Sequence, residues 1–196
     1  MLAGRPLIGW SIDLFRTAGC SPIVLVVPPG IPEAVLTPTI GSATDVLVAE
    51  GADTRQGSVT NGLALAASER VVVHDAARPF ATPELVLRSL AALEGYDGAV
   101  VAVPLADTLK RVDGRRVLET VPRAGLWRAQ TPQAFRTEAL QTAHERAAAE
   151  GFDATDDAQL VERYGGTVAV VEGSSSNIKL TYPEDFVFAE ALLAAR

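Results

Sequence analysis

VVVHDAARPF, residues 71–80, is the stretch on which the reading of this chain turns. Three β-branched valines suit a buried strand, yet they run directly into His74, Asp75, Arg78 and Pro79. An apolar strand that ends in charge fits a parallel sheet, whose ligands sit beyond the carboxyl ends of the strands. The rest of the chain has the same rhythm. IVLVVPPG (23–30), VLVAEG (46–51) and GAVVAVPL (98–105) are apolar runs that close on proline or glycine. Amphipathic stretches alternate with them. Leu7, Ile8, Ile12 and Phe15 predict a helix over 6–15, with a stop near Gly19. Residues 54–68 suit a second helix, and Thr82-Pro83-Glu84 reads as an N-cap with proline at the first helical position, opening a helix to about residue 93. Continuous apolar strands alternating with helices indicate an α/β fold, a parallel sheet covered on both faces.

The pattern changes over residues 106–135. Asp113-Gly114 is a hairpin signal flanked by short alternating segments, which predicts a protruding β-arm inserted in a single domain of residues 1–196. Regular order resumes with helices near 136–150 and 156–164, strands TVAVVEG (167–173) and NIKLTY (177–182), and a last helix from Pro183.

Composition narrows the function. With 48% apolar and 21% charged residues the chain is ordinary for a soluble domain, and its 196 residues can bury a substantial core. No apolar run reaches the roughly 20 residues of a membrane helix, and the N-terminus lacks the pattern of a signal peptide. The single cysteine, Cys20, excludes an internal disulfide and fits a reducing cytoplasm. A net charge of −7 argues against nucleic-acid binding, while leaving room for a small anion held by a few placed cations.

Charged residues gather where a parallel sheet keeps its ligands: Asp53 and Arg55 after the second strand, His74, Asp75 and Arg78 after the third, Asp107 and Lys110 after the fourth. Asp75 and Arg78 offer a carboxylate for a metal or hydroxyl beside a fork for phosphate; equally, they suit a capped turn and its ion pair. Lys179, between Ile178 and Leu180, either reaches a ligand or snorkels from an edge strand. Asp53 also suits a helix cap. Two histidines exclude a His-rich metal site, and His74 reads better as a structural imidazole than as a base. Neither Ser58 nor Cys20 sits in a nucleophile motif.

Taken in order, VVVHDAARPF, PLADTLK, VPRAGLWRAQTPQAF, ATDDAQLVE and SSNIKLTYPEDFVFAE resemble the 2-C-methyl-D-erythritol 4-phosphate cytidylyltransferases, over residues 4–196. The resemblance implies a doubly wound, mainly parallel, Rossmann-like nucleotidyltransferase sheet with a dimerising β-arm. It implies a cytoplasmic enzyme of the non-mevalonate isoprenoid pathway. That enzyme transfers CMP from CTP to methylerythritol phosphate with Mg²⁺ and releases pyrophosphate. Carried over, Asp75 stands near the metal and both substrates, with the Ala76 backbone beside the nucleotide. Arg78, Thr131, Thr155 and Lys179 surround the methylerythritol phosphate molecule, Lys179 also facing the α-phosphate of CTP, while binding of the acceptor's phosphate group falls to arm residues. Thr108 and Arg123 serve the opposite subunit of a homodimer, and Asp53 and Ser58 lie around cytosine and ribose. Ribitol 5-phosphate is the alternative acceptor, and a dimeric module that binds without transferring CMP is the alternative of another class.

MLAGRPL corresponds to the segment just after the family's first strand and glycine-rich CTP loop. Those elements have no counterpart within residues 1–196, which predicts unpaired strand edges and a channel in the core. Either the natural chain is longer and active, which the intact substrate motifs favour, or this form is a non-catalytic relative.

Overall fold

Every apolar run but one becomes a strand in the computed structural model, which describes residues 1–41 and 44–195. After α1 (Leu7–Thr17), β1 (Ile23–Val27) pairs in parallel with β2 (Val46–Glu50) across α2 (Glu33–Ile40), a helix that the sequence reading passed over. Pro38 lies inside α2 and masks its periodicity. Then come α3 (Arg55–Leu63), β3 (Arg70–Val73), α4 (Pro83–Ala91) and β4 (Gly98–Pro104). Thr82 caps α4 as expected, accepting from the Leu85 N–H, with Pro83 opening the helix. Thr54, rather than Asp53, caps α3 by accepting from the Gly57 N–H. α3 stops short of residue 68, where the Leu65 and Ala66 N–H groups turn back to Gly62 and Leu63.

The arm is smaller than 106–135. Its hairpin is β5 (Leu109–Asp113) and β6 (Arg116–Val121), turned by Gly114 and Arg115, with Gly114 in the left-handed region at φ +54°. From residue 127 the chain re-enters the body as β7 (Trp127–Arg136), which runs antiparallel between β3 and β4. Residues 130–135 of this strand are buried, so the expected arm ends before it. α5 (Thr137–Glu150), α6 (Asp157–Arg163), β8 (Val168–Glu172) and α7 (Pro183–Ala194) complete the order. β8 pairs in parallel with β4, giving a four-stranded order β3-β7-β4-β8 in which β7 alone is reversed. NIKLTY is a second correction. It is extended but lies in no ladder, because it crosses the turn after β3, where the Leu180 N–H meets the Ala77 carbonyl at 2.8 Å.

Alternation across β4 and β7 divides the core, since successive strand residues face opposite sides. Val100 and Phe135 pack with Leu140, Leu160 and Val161 under α5 and α6. Ala99, Val101 and Ala134 pack with Leu85 and Leu93 beneath α4. Gly98 makes room for Phe135: a side-chain carbon there would lie 2.8 Å from the ring.

The expected gap is present. Among the described residues no backbone ladder joins β1 to β3, and a cavity of about 620 Å³ lies between them. Val24, Val26, Val71 and Val73 line it, and Arg55, Ser58 and Asp75 border it where the strands end.

Phe135 is fully buried at the junction of β4, β7 and α5. Phe135→Ala is expected to cost about 3–5 kcal/mol. In thermal denaturation the midpoint should fall by about 10 °C; a shift under about 2 °C would place the main core elsewhere.

Candidate active site

β3 delivers Asp75 to the rim of the sheet, and two distant parts of the chain meet it there. Lys179 Nζ lies 2.9 Å from Asp75 Oδ2, and Arg55 Nε, from the first turn of α3, lies 3.3 Å from Oδ1. Burial works against an ionised Asp75, but Lys179 and Arg55 outweigh it and hold the carboxyl below the usual carboxylate range. The Lys179 side chain is 45% exposed, so it pairs with Asp75 at the edge of solvent. Snorkelling from an edge strand is therefore not its role: Lys179 is on no strand and turns inward to an acid.

Arg78 completes the cluster from the next turn. Its backbone N–H bonds the Asp75 carbonyl at 2.9 Å, and Nη1 donates to the Asn177 carbonyl at 2.9 Å. Nε is buried and, among the described residues, has no hydrogen-bond partner. Burial lowers the pKa of this guanidinium, Asp75 opposes that, and Arg128 adds to it by repulsion. Two arginines close enough to repel, one with an unused buried N–H, make a place where an anion is electrostatically welcome.

Behind these groups stands a neutral polar scaffold. Thr131 Oγ1 accepts from the Asp75 backbone N–H at 3.0 Å and lies 2.9 Å from His74 Nδ1. His74 Nε2 lies 3.3 Å from the Arg78 carbonyl, which only accepts. Nε2 therefore carries the hydrogen, and Nδ1 accepts from the Thr131 hydroxyl. Burial pushes the His74 pKa down to about 4, so the ring is neutral near pH 7 and both its nitrogens are engaged. The structural reading of His74 stands. Asn177 Nδ2 donates to the Thr131 carbonyl at 3.0 Å and to Gln130 Oε1 at 3.2 Å, tying the stretch before Lys179 to β7.

The other expected residues divide. Asp75, Arg78 and Lys179 converge, with Ala76 inside the same turn. Thr131 joins them from behind: it is 4% exposed and its hydroxyl bonds both the Asp75 N–H and His74, so it holds the Asp75 backbone rather than facing solvent. Ser58 supports a neighbouring loop, accepting from the Ala52 N–H at 3.0 Å, with Asp53 exposed beside it. Thr155 is exposed ahead of α6 and bonds Gln159. Thr108 and Arg123 are exposed on either side of the open end of the arm hairpin, and among the described residues neither side chain meets Asp75. Arg128 and the Asp157 that pairs with Arg55 were missed; their only signal was position, on segments read as arm and as helix. Arg55 was placed correctly after the second strand but given no partner.

No group of three or more His, Cys, Asp or Glu side chains forms a metal cage among the described residues. Mg²⁺ commonly uses one or two carboxylates and takes its remaining ligands from substrate phosphates and water. Asp75, 17% exposed beside cations that suit phosphate, fits that donor set. No described helix is long and apolar enough to cross a membrane.

Comparisons with known proteins identify the family. The family model described as IspD, 2-C-methyl-D-erythritol 4-phosphate cytidylyltransferase, matches residues 1–195. A 2-C-methyl-D-erythritol 4-phosphate cytidylyltransferase of Cereibacter sphaeroides is 48% identical over 198 residues, covering 98% of this chain and 86% of that protein. The protein of the same name from Bacillus velezensis is 45% identical, covering 99% and 86%. The crystal structure of the Thermus thermophilus enzyme of that name superposes with a TM-score of 0.89 at 38% identity, covering 99% of this chain and 92% of that one. Fold and sequence thus lead to one assignment: the chain belongs to the 2-C-methyl-D-erythritol 4-phosphate cytidylyltransferase family.

Proposed function

We propose that this chain transfers CMP from CTP to 2-C-methyl-D-erythritol 4-phosphate, releasing pyrophosphate, in isoprenoid synthesis by the non-mevalonate route. The observation that carries the reading is the meeting of Asp75, Lys179 and Arg78 at the end of β3. An oxygen of the substrate phosphate attacks the α-phosphorus of CTP. The bond from that phosphorus to the bridging oxygen breaks, and pyrophosphate leaves with the electron pair. The nucleophile is already ionised, so the step needs positioning and charge neutralisation rather than a base. That suits a site whose histidine is neutral and hydrogen-bonded at both nitrogens. Lys179 and Arg78 neutralise the two anions as they approach. Bound Mg²⁺ would be held by Asp75 and would lower the charge of the triphosphate. Ala76, Asp53 and Ser58 border the nucleotide in this reading, and Thr155 the acceptor.

The arm supports a homodimer in which Thr108 and Arg123 complete the partner's acceptor site. Every residue of β5 is exposed, and Val112, Val117 and Leu118 stand more than half exposed on a two-stranded ribbon. Apolar side chains displayed in this way fit burial against a second copy. The cytoplasm is the matching compartment.

Three measurements test the reading. Turnover of methylerythritol phosphate should exceed that of ribitol 5-phosphate with CTP, and the reverse order would reassign the acceptor; CTP binding without turnover of either would favour a non-catalytic module. Lys179→Ala should lower kcat by about a hundredfold or more while KM changes by less than about fivefold; equal changes in both would deny Lys179 a transition-state role. Arg123→Ala dimers should be inactive. Mixing them with Lys179→Ala dimers should restore about a quarter of wild-type activity, because subunit exchange makes about half of the dimers mixed and one of the two sites in each of those is intact. No restoration would place Arg123 and Lys179 in the same subunit's site.

A further inference from the structure

A chain of alternating charge runs from the site into the core. It starts with Lys179 and Asp75, passes through Arg55, and ends at Asp157 and His144. Arg55 Nη1 lies 2.8 Å from Asp157 Oδ2 while its Nε faces Asp75. At that distance the two groups form a close charged contact. Asp157 opens α6, is 1% exposed, and meets His144 Nε2 at 3.1 Å through its other oxygen. Since that oxygen only accepts, Nε2 carries the hydrogen. His144 is itself buried on α5, with Nδ1 2.9 Å from the Thr60 hydroxyl on α3.

A buried carboxylate is a poor source of stability. An ion pair in a core is often no better than a well-packed apolar pair, whereas breaking it is costly. Packing alone therefore does not account for a charge on this side of the sheet, where α5 and α6 otherwise present alanine, leucine and valine. What the pair does have is an outward end. The Arg55 guanidinium is rigid and bridges two carboxylates, one in the core and one at the rim. Burial alone would lower the Arg55 pKa, but Asp157 and Asp75 outweigh it.

We propose that Asp157, anchored by His144, is a positioning residue that acts through Arg55 to hold the Asp75 carboxylate in its working orientation. This rests on the reading of Asp75 and Lys179 as the reacting site. Arg55 bears on one Asp75 oxygen and leaves the other to Lys179. Without Asp157, Arg55 loses its fixed end and Asp75 loses its stop. Ground-state binding then changes little and the reacting geometry suffers, because displacements of about 1 Å are costly to rate.

Arg55→Gln, Asp157→Asn and the double variant test this in the intact chain. Each single change should lower kcat at least about tenfold with KM for both substrates within about threefold, and the double should match Arg55→Gln alone within about twofold. A crystal structure of Asp157→Asn should show Arg55 Nε beyond 4 Å from Asp75, the usual limit of an ion pair. Multiplying effects in the double, a wild-type kcat in either single variant, or an unmoved Arg55 would overturn the proposal. Should Asp157→Asn fail to fold, Arg55→Lys serves: it keeps the charge but cannot bridge both carboxylates. It should lose kcat as Arg55→Gln does with its melting temperature unchanged, and a wild-type kcat refutes the idea. Lys179→Ala separates the two claims. If it keeps full kcat, the site itself is misread; if it loses kcat while Arg55→Gln and Arg55→Lys do not, only the positioning role falls.

Discussion

The ion pair between Asp75 and Lys179 is the constraint around which the site is arranged, because it joins the end of β3 to a segment more than a hundred residues later. A carboxylate that is largely buried stays ionised only if a cation meets it, and here two do. Meeting them requires the 177–182 stretch to cross the mouth of the sheet instead of joining its edge. Backbone bonds from that stretch therefore go to the Ala77 and Arg78 turn, and its one buried amide, Asn177, is fastened to β7. The extended run without a ladder and the placed lysine are the same event.

Around that pair the polar groups sort by depth. Cations are at the surface of the cleft, where a phosphate would exchange their hydration for contacts. Neutral donors and acceptors lie just beneath. His74 and Thr131 satisfy each other and the Asp75 N–H, so the backbone that presents the carboxylate is held without adding charge. The pushed-down pKa of His74 belongs to this arrangement: a second cation against Arg78 would raise the repulsion already exerted by Arg128.

The cavity between β1 and β3 belongs to the same geometry. Strands pair where edges come within hydrogen-bond reach, and here valines of β1 and β3 line the space between them, with Arg55, Ser58 and Asp75 also on its wall. A packed interior has few voids of this size. Its lower end borders the charged cluster, so whatever fills that volume bears directly on Asp75.

Much of this was legible in the residues. Valine runs ending on proline or glycine determined the strands, Thr82-Pro83 determined the start of α4, and Asp113-Gly114 located the hairpin to within a residue, because those signals are local. Local chemistry also placed Asp75 and Arg78 at a strand end. What only the tertiary structure decided was partnership. WRAQTPQAFR is polar enough to pass for arm, and it becomes the buried central strand because β3 and β4 both need a neighbour there. Asp157 carries no local signal beyond its place at the start of a helix, yet it is the buried counter-charge of Arg55. Sequence reports what each side chain is able to do, through period, cap and charge. Which groups lie within 3 Å of one another depends on how strands and helices from remote parts of the chain come to share one core, and that no local pattern encodes.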